Sequence, residues 1–224
     1  MRCLYCHMKM DEELNIMTLF KARHPLCDSC KKALLEKYEG PRCQRCHQVT
    51  KKTIAVCGDC QMLIEVYPAV DKIYTFTDYN DAVKMLMHRY KFLKDYAMVE
   101  IIGFICDVNL SSYDYVVPIP ISKERMRERT YNQALEMIVK LKAKPAIFLE
   151  TKAKERQSEQ GRQSRMARKN PFYLSEDVRE KDFTGKSIII IDDIYTTGVT
   201  VHQAADVLKV LNFQNIDVLT FSKA

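Results

Sequence analysis

The segment IIIIDDIYTTGVT, Ile188 to Thr200, decides how the rest of the chain reads. Four consecutive isoleucines mark a strand apolar on both faces, the pattern of a parallel sheet covered on both sides. The run delivers two carboxylates, Asp192 and Asp193, at its C-terminal end, and a Thr-Thr-Gly-Val-Thr turn then opens a helix. Gly198 permits a tight backbone there. Thr196, Thr197 and Thr200 add hydroxyls to the free N–H groups of the helix start, so the turn forms a nest for a phosphate monoester. The aspartates cannot hold phosphate themselves. Their natural partners are sugar hydroxyls or a magnesium ion. A nucleotide-triphosphatase reading fails because Gly185-Lys186-Ser187 precedes a strand rather than a helix and Glu180 occupies the required first glycine.

Outward from this segment, strands and helices alternate. Further strand candidates are Tyr113–Ile121, Ala146–Glu150 and Ile216–Ser222, with the central one over Ser187–Ile191. From Asp81, Val83, Leu86, Met87, Tyr90 and Leu93 recur at helical steps, with Lys84, Arg89, Lys91 and Lys94 on other faces. Helices are also predicted over about Met98 to Val108, which buries Cys106 as a small hydrophobe, over NQALEMIVKLKA, and over about Val201 to Leu211. SKERMRERT reads as a charged turn, Thr151 to Asn170 as a long polar segment, and 61–80 as a linker with a short β element at Ile73, Tyr74 and Phe76. The class is therefore α/β: a parallel sheet flanked by helices over 66–224, preceded by a small module over 1–65.

The chain has 224 residues, 47% apolar and 29% charged, which excludes disordered and fibrous classes. No apolar run approaches the roughly 18 residues of a membrane span, and residues 1–13 lack the apolar core of a signal peptide. A cytoplasmic protein without membrane insertion is expected, and the nine cysteines are then read in a reducing compartment. Eight form four Cys-x-x-Cys pairs: Cys3/Cys6, Cys27/Cys30, Cys43/Cys46 and Cys57/Cys60. A two-residue gap lets both thiolates of a pair reach one tetrahedral zinc, so four pairs fit two structural ions. Sequential pairing is preferred, and an interleaved, cross-braced pairing stays open. Thiol redox chemistry is the competing reading, but its motif normally occurs once. His7, His24 and His47 lie beside the pairs and are expected to be bystanders.

The net charge of +6 is local. Residues 1–60 carry 11 Lys and Arg against 7 Asp and Glu, residues 122–130 four against two, and 152–169 seven against two, so everything else is net negative. Basic loops at the strand ends of an α/β sheet suit an anionic ligand. The cysteine-rich segment is basic enough to touch nucleic acid or an acidic partner.

The segment from Ile188 to Thr200 resembles the phosphoribosyl-pyrophosphate (PRPP) motif of type I phosphoribosyltransferases. With the cysteine pairs, with Pro118-x-Pro120 and Arg129-x-x-Asn132-Gln133, and with the Gln/Arg-rich segment ending in Asn170-Pro171-Phe172, the whole chain resembles the ComF family. The resemblance implies an N-terminal double zinc ribbon and a phosphoribosyltransferase-like domain. Asp192 and Asp193 would contact the ribose hydroxyls with Mg2+ nearby, and Thr196, Thr197, Gly198 and Thr200 would hold the 5′-phosphate. Ser122, Lys123 and Arg125 would lie where the family binds pyrophosphate, and Lys152 to Asn170 would be a loop closing over the site. Thr130 stands where family members commonly carry Gly. Two functions follow as expectations. One is a competence protein for DNA uptake in natural transformation, working with a ComFA-type helicase on single-stranded DNA and binding PRPP or another nucleotide phosphate, with Tyr131, Phe172 and Tyr173 as stacking candidates. The other is an active, Mg-dependent phosphoribosyltransferase of nucleotide metabolism.

Overall fold

A computed structural model describes residues 1–10, 24–151 and 170–224 of the chain. The elements in order are α1 (Asp28–Leu35), α2 (Gly58–Val66), β1 (Ile73–Asp78), α3 (Asp81–Lys91), α4 (Met98–Ile105), β2 (Tyr115–Pro118), α5 (Lys123–Arg129), α6 (Gln133–Lys140), β3 (Leu149–Thr151), β4 (Phe172–Leu174), β5 (Ser187–Tyr195), α7 (Val199–Leu208) and β6 (Asn215–Lys223).

The main sheet has the order β1-β6-β5-β2, with all its pairs parallel. β5 is central, as its isoleucines require. Ile188 and Ile190 belong to one apolar core, with α7, Val117 and Val218; Ile189 and Ile191 belong to the other, with α3, α4, α6 and Leu219. A strand buried on both faces between helical layers is what an unbroken apolar run encodes.

Three expectations change. Ala146–Glu150 is not a strand of this sheet: β3 pairs antiparallel with β4 in a separate two-stranded ribbon, Leu149 opposite Leu174. The fourth strand of the main sheet is β1, from the segment read as a linker, where Ile73, Tyr74 and Phe76 do form the strand. The supposed turn SKERMRERT is helix α5: the Ser122 hydroxyl accepts from the Arg125 N–H (3.3 Å), and Thr130 closes the helix in the left-handed conformation (φ 71°). A β-branched residue is costly at that φ, where glycine is free of strain. The central strand also runs further than Ile191, carrying Asp192 and Asp193 inside it to Tyr195. Cys106 is fully buried, and burial pushes its thiol well above the ordinary range.

The described residues of the two halves of the cysteine-rich segment share their local geometry. Arg2 bridges Lys9 around the first knuckle as Arg42 bridges Val49 around the third; His7 and His47 both take φ 62° just after the second cysteine of the pair. Cys27 and Cys57 are the N-caps of α1 and α2. The two halves attach to opposite faces of the sheet. Cys3, Cys30 and Leu34 join the core of α3, and Cys43, Cys46, Cys57, Cys60 and Leu63 pack with α7 and Tyr195 or beside them. Arg42 ties the second half to the end of β1 by a buried pair with Asp78 (2.5 Å). Several arginines of this basic segment are thus committed internally. Arg45 donates to the Val70 and Asp71 carbonyls, and Arg42 also to those of Tyr38 and His47.

Candidate functional site

The thiols meet in sequence order. Cys3, Cys6, Cys27 and Cys30 form one cluster and Cys43, Cys46, Cys57 and Cys60 another, the sulfurs of each within 4.8 Å of one another. This is the sequential pairing. Tetrahedral Zn–S bonds of about 2.3 Å place sulfurs about 3.8 Å apart. The Cys6–Cys27 and Cys46–Cys57 separations are 3.8 and 3.7 Å, so both sets fit a structural zinc. No histidine joins either cluster among the described residues. The Cys57 N–H donates to Cys43 Sγ at 3.3 Å, which ties the two knuckles of this cluster together. The hydrogen bond from the Cys60 thiol draws Cys46 down to about 5 against its burial, while the same bond pushes Cys60 far up. Proton sharing of this kind marks four sulfurs close enough for one cation to replace their protons.

At the C-terminal end of the sheet, the Asp193 N–H donates to Asp192 Oδ1 (2.9 Å), which turns the two side chains to different sides of the strand end. Asp193 is buried and pairs with Lys91 Nζ at 2.7 Å. Burial and the neighbouring Asp193 charge push Asp192 up to about 7, with Lys91 acting in the opposite direction. Arg129 faces the same pair. Its guanidinium lies 5.8 Å from the Phe92 ring centre and donates to Gln133 (3.0 Å), and burial lowers its pKa although Asp193 raises it.

Gly198 is the N-cap of α7 with φ 77°. Nothing but glycine fits: a Cβ there would lie 2.2 Å from Tyr195 Oη and 3.0 Å from the Leu63 side chain. The turn Thr196 to Gly198 therefore rests on Tyr195, and Tyr195 on the second cysteine cluster. Thr196 and Thr200 are exposed beside it, at the end of the helix whose free N–H groups favour an anion, while Val199 and Val201 between and after them are buried.

The predicted site residues do not all have the same status. Ser122 is spent on capping α5, while Lys123 and Arg125 are exposed on that helix. Asn132 is an anchor: its amide donates to the Ile119 carbonyl at the end of β2 and its oxygen caps α6. Phe172 is buried, Tyr173 donates to Glu150, and Tyr131 packs on Tyr90 and Tyr96. Phe92, 64% exposed beside Arg129, is the open ring near the aspartates. The segment Lys152 to Lys169 lies outside the described residues, whereas Asn170 next to it donates to the Gln203 carbonyl of α7.

Residues 132–223 match the phosphoribosyl transferase domain family, covering α6 through β6. The chain is 30% identical to competence protein ComFC of Streptococcus pneumoniae over 99% of both chains. The chain belongs to the ComF family. The ComFC of Bacillus subtilis is 31% identical over 91% of this chain and 86% of its own, and competence protein F of Haemophilus influenzae 23% identical over 100% and 97%.

For this ComF protein the sequence reading missed Lys91 and Phe92. Both stand at the C-terminal end of α3, and Lys91 was just one of four basic residues on the helix's polar side. Only the pairing with Asp193, 102 positions further along the chain, separates it from the others. Magnesium, implied by the resemblance beside the two aspartates, does not fit that pair as it stands. An ammonium already sits on Asp193, and one oxygen of Asp192 accepts from the Asp193 N–H.

The raised Asp192 carboxyl has a visible consequence. Its folded-state value lies above the unfolded one, so it favours folding below about pH 4 and that contribution fades as pH rises through about 7. A hydroxyl ligand needs the opposite form, the carboxylate acceptor. Calorimetric affinity for ribose 5-phosphate is expected to rise several-fold from pH 6 to 8. Asp192→Asn should keep only the smaller rise due to the ligand's own phosphate, with its second pKa of about 6.

No helix among the described residues is long and apolar enough to cross a membrane.

Proposed function

We propose that this protein serves DNA uptake during natural transformation, in the cytoplasm, by binding PRPP or another 5′-phosphorylated ligand while working with a ComFA-type helicase on single-stranded DNA. The observation that carries the reading is the strand-end constellation: a left-handed Gly198 opening α7 five residues after Asp193, with two basic side chains facing the aspartates. The relatives' competence names supply the biological setting. Thiolate clusters free of disulfides among the described residues suit a reducing compartment.

In this reading the amides and hydroxyls of 196–200 donate to the phosphate. Asp192 and Asp193 accept from the ribose hydroxyls, which orients the sugar over the end of β5. Arg129 and Arg125 favour a diphosphate by charge. Magnesium travels with the diphosphate of PRPP and not with the aspartates. Exposed Phe92 and the basic α5 support contact with a single strand through stacking and charge. The helicase partnership rests on the family resemblance of the sequence alone.

The second reading is an active phosphoribosyltransferase, favoured by Arg129, a partly buried guanidinium whose charge suits a departing diphosphate. A strain carrying Thr196→Glu, which sets a carboxylate at an exposed position of the phosphate turn, tests the first. Transformation is expected to fall at least tenfold while protein level and zinc content stay normal; undiminished transformation would contradict it. Pyrophosphate release from PRPP on addition of a free base, lost in the same variant, would establish the transferase.

A further inference from the structure

One member of the acidic pair that would receive a ribose already carries a cation from within the chain. Lys91 Nζ lies 2.7 Å from Asp193 Oδ2, and neither side chain is more than 13% exposed. This is not a casual surface contact, because α3 is held at its C-terminal end from several directions. The Tyr131 hydroxyl donates to the Tyr90 carbonyl (2.5 Å), and the Tyr90 hydroxyl to that of Gln133 (3.2 Å). Arg89, two residues before Lys91, is fixed by Asp95 and by the Tyr5 carbonyl of the first cysteine ribbon. Lys91 is the last residue of its helix, where free carbonyls favour a cation.

We propose that the Lys91 ammonium is the resident cation of the Asp192/Asp193 pair and takes the place there of a divalent metal ion, so that the site accepts a ribose phosphate without metal. The proposal rests on the ribose-phosphate reading above. The physical argument is one of competition. A divalent ion would need carboxylate oxygens stripped of other partners and in near-octahedral array. Here one oxygen of Asp193 holds an ammonium, an oxygen of Asp192 is engaged by the Asp193 N–H, and a guanidinium stands close by. A fixed cation of this kind leaves the remaining carboxylate lone pairs free for hydroxyl donors and offsets the repulsion between the two neighbouring carboxyl groups.

Zinc-loaded full-length protein can be titrated with Mn2+ alone, followed by electron paramagnetic resonance, and separately with ribose 5-phosphate in the presence of a mild magnesium chelator. Wild type is expected to bind no Mn2+ below millimolar concentration and to bind ribose 5-phosphate equally with and without Mg2+. Lys91→Met should gain one Mn2+ site at least tenfold tighter, lost again in Lys91→Met with Asp193→Asn, while Lys91→Arg should behave as wild type. Mn2+ bound by wild type and lost in Asp193→Asn, or no gained site in folded Lys91→Met, would overturn the proposal. So would ribose 5-phosphate binding that requires Mg2+. If wild type binds no ribose 5-phosphate under any condition, the ribose-phosphate reading fails, and the Mn2+ series still decides the role of Lys91.

Discussion

Gly198→Ala is expected to lower stability by about 3 kcal/mol and to abolish binding of a 5′-phosphate. Two costs combine. An alanine at φ 77° carries roughly 1 kcal/mol or more of backbone strain. Its methyl must also displace the buried Tyr195 ring, 2.2 Å away at Oη and 2.5 Å at Cζ, and overpacking of this kind costs about 1 to 3 kcal/mol. Tyr195 has nowhere to retreat, since it sits in the core that contains the second cysteine cluster. Gly185 supplies the control. It has φ 75° but open space where a Cβ would go, so Gly185→Ala should cost the strain alone, about 1 kcal/mol. Denaturant titration of the two variants separates the contributions. Equal losses would mean that the Tyr195 contact is immaterial.

Removal of zinc from the second ribbon should have a still larger effect. Cys60→Ser is expected to reduce bound zinc from two ions per chain to one and to cost on the order of 5 kcal/mol or more, because a structural zinc contributes folding free energy outright. The consequence reaches the phosphate turn, since Leu63, one turn beyond Cys60 in α2, and Tyr195 both lie against Gly198. Ribose 5-phosphate binding should fall with the zinc. Cys30→Ser, in the first ribbon, should also release one zinc, but its damage should appear at α3 and the Lys91 pairing, leaving the phosphate turn in place. Zinc analysis combined with amide exchange of residues 196–204 distinguishes the two. Unchanged exchange there in Cys60→Ser would show that the second ribbon does not support the turn.

The fold was legible where a residue's role is set by its neighbours in sequence. Four isoleucines followed by two aspartates and a Thr-Thr-Gly turn specify the central strand, its buried position and the open helix start after it. Cysteine spacing indicated four knuckles for two metal ions, since thiolates two residues apart can share one tetrahedral ion, but it left open which knuckles pair, and the structure groups them in sequence order. The errors fell where tertiary context decides. Ala146–Glu150 has the composition of a core strand, but its contact with the outer edge of β2 is limited to the bridge of Pro145 with Val116 and the Ala146 N–H to the Val116 carbonyl, and from Leu149 the segment pairs with β4 instead. SKERMRERT has no apolar face to signal a helix, and a Ser122 cap with a left-handed Thr130 makes one nonetheless. The duplication of the ribbons was visible in the sequence as Arg-Cys-x-x-Cys-His at 2–7 and again at 42–47, and was passed over. Lys91 was beyond reach: nothing local distinguishes a lysine on the solvent side of an amphipathic helix from one aimed at a buried aspartate.

The central claim is that the end of β5 and the start of α7 form a seat for a 5′-phosphorylated ribose. Amide NMR of isotopically labelled, zinc-loaded protein during titration with ribose 5-phosphate tests it most directly. The account predicts saturable shifts concentrated at Asp192, Asp193 and Thr196 to Val201, with Thr196→Glu eliminating them. Shifts absent from those amides at millimolar ligand, in protein whose spectrum is otherwise that of the folded chain, would contradict it.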